Sequence, residues 1–129
     1  MKALVIDDSR AMRSILSHIL RQLGCDVSEA CNGRDALRQL GDLDQVELAL
    51  VDWNMPELNG IDFVRQVRAD ARYDGLRLMM VTTETETSQV AMALQAGANE
   101  YVMKPFTKDI IREKLELLGL LCDPTSATS

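Results

Sequence analysis

The sequence predicts a doubly wound α/β domain, in which a five-stranded parallel sheet carries helices on both faces. Short apolar runs alternate five times with segments of helical period, and the connections between them are short. Repeated βα units of that kind close only by right-handed crossovers, which lay the strands parallel and cover both faces. A third observation concerns where the acids fall. Asp7 and Asp8 close the run Ala3-Leu4-Val5-Ile6, and Asp52 closes Leu48-Ala49-Leu50-Val51. Those are strand ends, at the carboxyl edge where open α/β sheets build their sites.

After the first strand, Ser9 is an N-cap type. The stripe Met12, Ile15, Leu16, Ile19, Leu20 and Leu23 then gives an amphipathic helix that Gly24 ends. A weak strand follows around Asp26 to Ala30, and its polarity marks a sheet edge. Asn32-Gly33 starts a second helix with Ala36, Leu37 and Leu40 inward and Gly41 as its stop. Val46 to Val51 is nearly all apolar, as a strand buried on both faces requires. The breaker-rich stretch Asn54 to Gly60 is a loop, and Phe63, Val64 and Val67 give the third helix its core face. Leu76 to Val81 reads as the fourth strand, ending in Thr82-Thr83-Glu84. A fourth helix runs from about Thr85 to Ala96, with Gly97 as its stop. The fifth strand is Glu100 to Met103. Thr107 caps a last helix bearing Ile110, Ile111, Leu115, Leu118 and Leu121. Residues 1–122 form one domain, and 123–129 read as a disordered tail.

At 129 residues the chain can bury a single core without staples. A net charge of -6, a pI near 4.7 and only 4% aromatic residues disfavour nucleic-acid binding. Cys25, Cys31 and Cys122 lack paired metal or redox spacing and are expected to be reduced thiols. If Cys25 and Cys31 bracket one strand they lie roughly 20 Å apart, beyond disulfide reach. Neither a signal-peptide core nor a membrane-length run is present, so the expectation is a cytoplasmic monomer that binds no membrane.

Five βα units favour the flavodoxin-like order 2-1-3-4-5, whose switch point makes the first and third strands neighbours and brings Asp7 and Asp8 beside Asp52. Three crowded carboxylates repel, and each is driven toward protonation unless a divalent metal or an ammonium group compensates. Lys104, directly after Tyr101-Val102-Met103, meets the second demand.

The pieces Val5-Ile6-Asp7-Asp8-Ser9, Asp52-Trp53-Asn54-Met55-Pro56 with Gly60, Thr82-Thr83-Glu84, Ala96-Gly97-Ala98 and Tyr101 through Thr107 resemble the receiver domain of two-component response regulators, within it the single-domain chemotaxis type. The resemblance spans nearly the whole chain. It implies that Asp52 accepts a phosphoryl group from a histidine kinase, with Asp7, Asp8, Asp52 and the backbone carbonyl of Asn54 around Mg²⁺. It further implies that Lys104, before a cis Pro105, and Thr82 hold phosphoryl oxygens, and that Thr82 and Tyr101 form the switch. Asn54 and Glu84 would tune dephosphorylation. A face of the fourth helix, fifth strand and fifth helix, comprising Val90, Tyr101, Lys108 and Lys114, would meet a protein target, of which the flagellar motor switch is one candidate. The implied protein is a signalling phosphoacceptor and not an enzyme, though it assists its own phosphorylation and dephosphorylation.

The same residues admit other readings. Singly, each acid could be a helix cap or a solvated loop residue. A phosphorelay shuttle or a receiver cut from a larger regulator shares the chemistry. A metal-dependent phosphatase with an Asp nucleophile belongs to a different class, but the haloacid dehalogenase type needs Asp-x-Asp on the first strand, where this chain has adjacent Asp7-Asp8. A flavin-binding flavodoxin lacks its phosphate-cradling loop here. His18 reads as a solvated helix residue, Met79, Met80, Met92 and Met103 as buried filling, and Arg65, Arg68, Arg72 and Arg77 as part of a solvated charged face. Trp53 is expected partly exposed at the site mouth. The fourth helix, bare of charge from Thr87 through Ala96, offers a flat neutral surface.

Overall fold

The structure is a computed structural model that describes residues 1–43, 45–53, 58–83 and 90–120. Its strands are β1 (Lys2–Ile6), β2 (Asp26–Ala30), β3 (Val46–Asp52), β4 (Arg77–Thr82) and β5 (Glu100–Met103). The helices are α1 (Arg10–Gln22), α2 (Gly33–Asp42), α3 (Gly60–Arg68), α4 (Val90–Ala96) and α5 (Lys108–Leu117), with a 3-10 turn at Ala71–Tyr73. All strands pair in parallel in the order β2-β1-β3-β4-β5.

Side chains on a strand alternate between faces, and the alternation divides the interior into two cores. Leu4, Ile6, Ala49, Val51, Leu78 and Met80 pack under Ala36 and Leu40 of α2, Phe63, Val64 and Val67 of α3, and Ala93 of α4. Ala3, Val5, Leu48, Leu50, Met79, Val81 and Val102 pack under Leu16 and Leu20 of α1 and Ile111 and Leu115 of α5. Central strands need apolar residues at every position for this, whereas β2, at the edge, is mostly polar and exposed.

The helix starts follow side-chain oxygens that accept otherwise orphaned amides. Ser9 Oγ accepts from Met12 N at 3.3 Å, Asn32 Oδ1 from Asp35 N at 2.8 Å, Asn59 Oδ1 from Asp62 N at 2.9 Å and Thr107 Oγ1 from Ile110 N at 3.3 Å. Gly24 and Gly97, at φ 93° and 125°, take the positive dihedral that ends α1 and α4. Gly41 does not stop α2, which continues to Asp42.

Several expectations are corrected. Ile15 and Ile110 are 49% and 37% exposed, so the buried stripes of α1 and α5 are narrower than the apolar pattern. Met92 is 52% exposed and is not core filling. Cys25 is disulfide-bonded, to a partner outside the described residues, while Cys31 is free and exposed. The spacing argument excluded one pairing along the chain and said nothing of residues brought near by folding, so the thiols no longer argue for a reducing compartment. Arg68 is not part of a solvated face. Its Nε donates to Gly97 O, its Nη1 to Tyr73 O, and its Nη2 to Leu76 O and Asn99 Oδ1, at 2.6 to 2.9 Å. The tail expected at 123–129 and the start of the fourth helix at Thr85 lie outside the described residues. Among those described, no helix is long and apolar enough to cross a membrane.

Candidate functional site

The register Ile6↔Val51 between β1 and β3 sets the residues that follow β1 beside the end of β3. Carboxylate oxygens of Asp7, Asp8 and Asp52 all lie within 4.8 Å of one another. Asp7 and Asp52 are 1% and 6% exposed, while Asp8 opens to solvent. The turn holding Asp7 is fastened on several sides. Its amide donates to Ala30 O at 3.1 Å, its Oδ1 accepts from Ser9 N at 2.8 Å, and its carbonyl accepts from Arg13 Nη1 at 2.7 Å. Asp7 Oδ2 is buried and receives no hydrogen bond from the described residues.

Burial raises both enclosed acids above the usual carboxylate range. For Asp7 burial outweighs the Ser9 amide and the Lys104 charge. Asp52 is raised to about 6, chiefly by burial and then by the negative charge of Asp7, with Lys104 pulling the other way. Lys104 Nζ stands 3.5 Å from Asp52 Oδ1, so one ammonium offsets only part of the repulsion. A buried carboxylate oxygen without a donor, facing two further carboxylates, is a hard-oxygen set suited to a small divalent cation.

The remaining expected residues are placed by β4 and β5. Lys104 N donates to Thr82 O at 2.7 Å, extending the ladder past the strand ends, and the Lys104–Pro105 peptide is cis. Thr82 is 1% exposed, and its Oγ1 donates to Thr83 O at 3.2 Å. Since Tyr101 pairs with Met80 and Thr82 with Met103, Tyr101 and Thr82 share one sheet face, and the Tyr101 ring packs on the α2–α3–α4 core. Trp53, half-buried, donates its amide to Val81 O at 3.1 Å. Gly60 lets α3 approach this edge: a Cβ there would sit 2.9 Å from Asp52 O and 2.8 Å from Met80 Cε.

Of the expected output face, Tyr101, Lys108 and Lys114 are partly exposed, but Val90 is 8% exposed and packs inward. The exposed apolar side chains of α4 are Met92 and Leu94. Asn54 and Glu84 lie outside the described residues. His18 is exposed on α1, as a solvated helix residue would be. Sequence reasoning missed Arg13, which fastens the acidic turn and pairs with Glu29 at 3.5 Å. It also missed Glu100, whose Oε1 accepts from Tyr101 N at 2.9 Å and from Lys114 Nζ at 3.3 Å. The spacing of Arg13 one helical turn beyond the N-cap was the available signal for the first; nothing local marked the second.

A family model for the response regulator receiver domain matches residues 3–116. The chain belongs to the response-regulator receiver family. It is 44% identical over 119 residues to the chemotaxis protein CheY1 of Helicobacter pylori, covering 92% of this chain and 96% of that one. It is 46% identical over 117 residues to a chemotaxis protein CheY homolog of Campylobacter jejuni, covering 90% of each. Among solved structures, CheY4 of Vibrio cholerae superimposes with a TM-score of 0.83 at 32% identity, over 90% of this chain and 96% of that one. A probable response regulator/GGDEF domain protein gives 0.85 at 31% identity, over 91% of this chain and 48% of that one. The fold is therefore that of a CheY-like receiver, in agreement with the strand order read from the sequence.

Proposed function

We propose that the chain is a Mg²⁺-dependent phosphoacceptor that takes a phosphoryl group on Asp52 from a histidine kinase and reports it to a protein partner, with a chemotaxis-type output. The observation that carries this reading is the triplet Asp7, Asp8 and Asp52, two of them buried, with Lys104 Nζ 3.5 Å from Asp52. An Asp52 oxygen attacks phosphorus in line, the bond to the donor imidazole breaks, and the imidazole nitrogen keeps the electron pair. Such transfers depend mainly on positioning and on charge neutralisation. Asp7, Asp8, Asp52 and the backbone carbonyl of Asn54 would hold Mg²⁺, which would supply most of that neutralisation when bound. Lys104 takes one phosphoryl oxygen as an ammonium donor, and the Thr82 hydroxyl takes another.

The same contacts make the site a switch. A phosphoryl group on Asp52 draws Thr82 toward it, and Tyr101, on the same face one strand over, turns into the space left. The surface of Tyr101, Lys108 and Lys114 then changes without refolding of the domain. The names of the Helicobacter and Campylobacter relatives support a chemotaxis role. The resemblance gives Asn54 and Glu84, both outside the described residues, a role in tuning dephosphorylation.

The test is incubation with acetyl phosphate and Mg²⁺ followed by intact-mass measurement. The wild type gains one phosphoryl group and Asp52→Asn gains none. Full labelling of Asp52→Asn moves the acceptor elsewhere.

A further inference from the structure

Outside the acidic site, the described residues hold one compact charged cluster built directly onto the switch tyrosine. Glu100 and Tyr101 are neighbours on β5, and Lys114 reaches them from α5. The Glu100 carboxylate is fixed by its own strand, because Oε1 accepts from the Tyr101 amide at 2.9 Å. That fixed oxygen draws Lys114 Nζ to 3.3 Å, with the two side chains only 24% and 20% exposed. So placed, Nζ stands 4.8 Å from the centroid of the Tyr101 ring, within the range in which an ammonium is attracted to an aromatic face. Partial burial on all sides strengthens both contacts relative to a solvated pair.

We propose that Glu100 is a positioning residue of the output switch: by holding Lys114 over the Tyr101 ring it keeps the tyrosine in its resting place and restrains the turn that phosphorylation drives. The proposal rests on the switch reading given under Proposed function. The contacts act on one of two states. The lysine attracts the ring where it now lies, and a ring that turns away toward Thr82 gives that attraction up. A contact confined to the resting state shifts the equilibrium toward rest. It also weakens, by the same factor, any ligand at Asp52 that favours the turned state. Partner access is linked to the same event, since Lys114 is occupied by the chain's own carboxylate and ring until Tyr101 moves.

The experiment labels the protein with 3-fluorotyrosine, which gives two resonances because the chain has two tyrosines, Tyr73 and Tyr101. Tyr73→Phe assigns them. Beryllofluoride with Mg²⁺ serves as the phosphoryl mimic, its affinity read by Trp53 fluorescence. In Glu100→Gln and in Lys114→Met the resting Tyr101 resonance moves toward its beryllofluoride position, and the apparent Kd for beryllofluoride falls about three- to tenfold in both. The double variant gives no further gain, because the two residues act through one contact. Glu113→Gln, which removes an exposed acid of α5 without touching the cluster, leaves both readouts at wild-type values. A change of chemical shift without a change in beryllofluoride affinity reports only the lost charge beside the ring and overturns the proposal, as does an unchanged shift. If beryllofluoride binds the wild type without moving Tyr101, the switch reading itself fails and the latch fails with it. If the wild type responds but Glu100→Gln and Lys114→Met match it, the latch alone is wrong.

Discussion

The acidic site opposes the fold when it is metal-free, and the size of that opposition can be worked out for Asp52. Raising its carboxyl from an ordinary 3.8 to about 6 means that the ionised form costs about 3 kcal/mol of folding stability, at about 1.4 kcal/mol per tenfold change in proton affinity. The sign follows from proton binding. Between pH 3.8 and about 6 the folded protein holds the Asp52 proton and the unfolded chain has released it. The stability this provides is therefore complete below 3.8 and lost as pH rises through about 6. Asp52→Asn keeps the shape and removes the ionisable group, and the attraction of Lys104 is already contained in the value of about 6, so its loss is not subtracted again. In EDTA at pH 7.5 the variant should thus be about 3 kcal/mol more stable than the wild type, with the gain fading to nothing by about pH 4. Urea unfolding of both proteins across that range measures the difference and cancels the titrating groups that do not interact with Asp52. Parallel stability curves, or a variant less stable at pH 7.5, would refute a strained carboxylate at Asp52. Saturating Mg²⁺ should reverse the order, because ligand binding stabilises only the protein that retains the ligand set.

Asp8→Ala should abolish Mg²⁺ binding by calorimetry and with it labelling by acetyl phosphate; unchanged affinity would remove Asp8 from the ligand set. Thr82→Ala should still accept a phosphoryl group while the fluorotyrosine signal of Tyr101 no longer responds, separating chemistry from output; a wild-type Tyr101 response in this variant would break the proposed coupling. Gly60→Ala should destabilise by about 1–3 kcal/mol, because the new methyl meets Asp52 O and Met80 Cε, and should weaken Mg²⁺ binding through the displaced Asp52. A stable variant of unchanged Mg²⁺ affinity would contradict the close approach of α3. Arg68→Met should cost about 3 kcal/mol or more in urea unfolding, because the carbonyls of Tyr73, Leu76 and Gly97 lose a donor. A loss below 1 kcal/mol would show that water replaces the guanidinium.

The strands and their order were legible because burial on two faces leaves no choice of residue at Leu48 to Val51 or Leu78 to Val81, and because short connections allow a single crossover hand. The acids were legible for a related reason: a charged residue directly after such a run can only stand at the sheet's edge. What the sequence concealed depends on neighbours distant in the chain. Ile15 and Leu16 both fit a helical stripe, yet only Leu16 meets the sheet, since α5 and α1 share that face and leave Ile15 at its rim. Arg68 stands among acids in sequence and bonds carbonyls in space, because the segments at Tyr73 and Gly97 close around it. Val90 looked like surface because no charge lies around it, but a helix with neutral neighbours on both sides gives no signal of which side turns inward.

The guanidinium of Arg68 binds four oxygens without a carboxylate among them. Burial lowers its proton affinity, but an arginine remains charged throughout the range in which proteins function. Carbonyl and amide oxygens do not titrate there either. The brace it forms at the amino-terminal edge of β4 and β5 is thus indifferent to pH, to divalent ions and to phosphate. At the opposite edge of the same sheet, burial holds Asp7 and Asp52 above the usual carboxylate range, so their charge depends on pH. A sheet with one chemically silent end and one reactive end has a fixed pivot built in, against which the proposed movement of Thr82 would act.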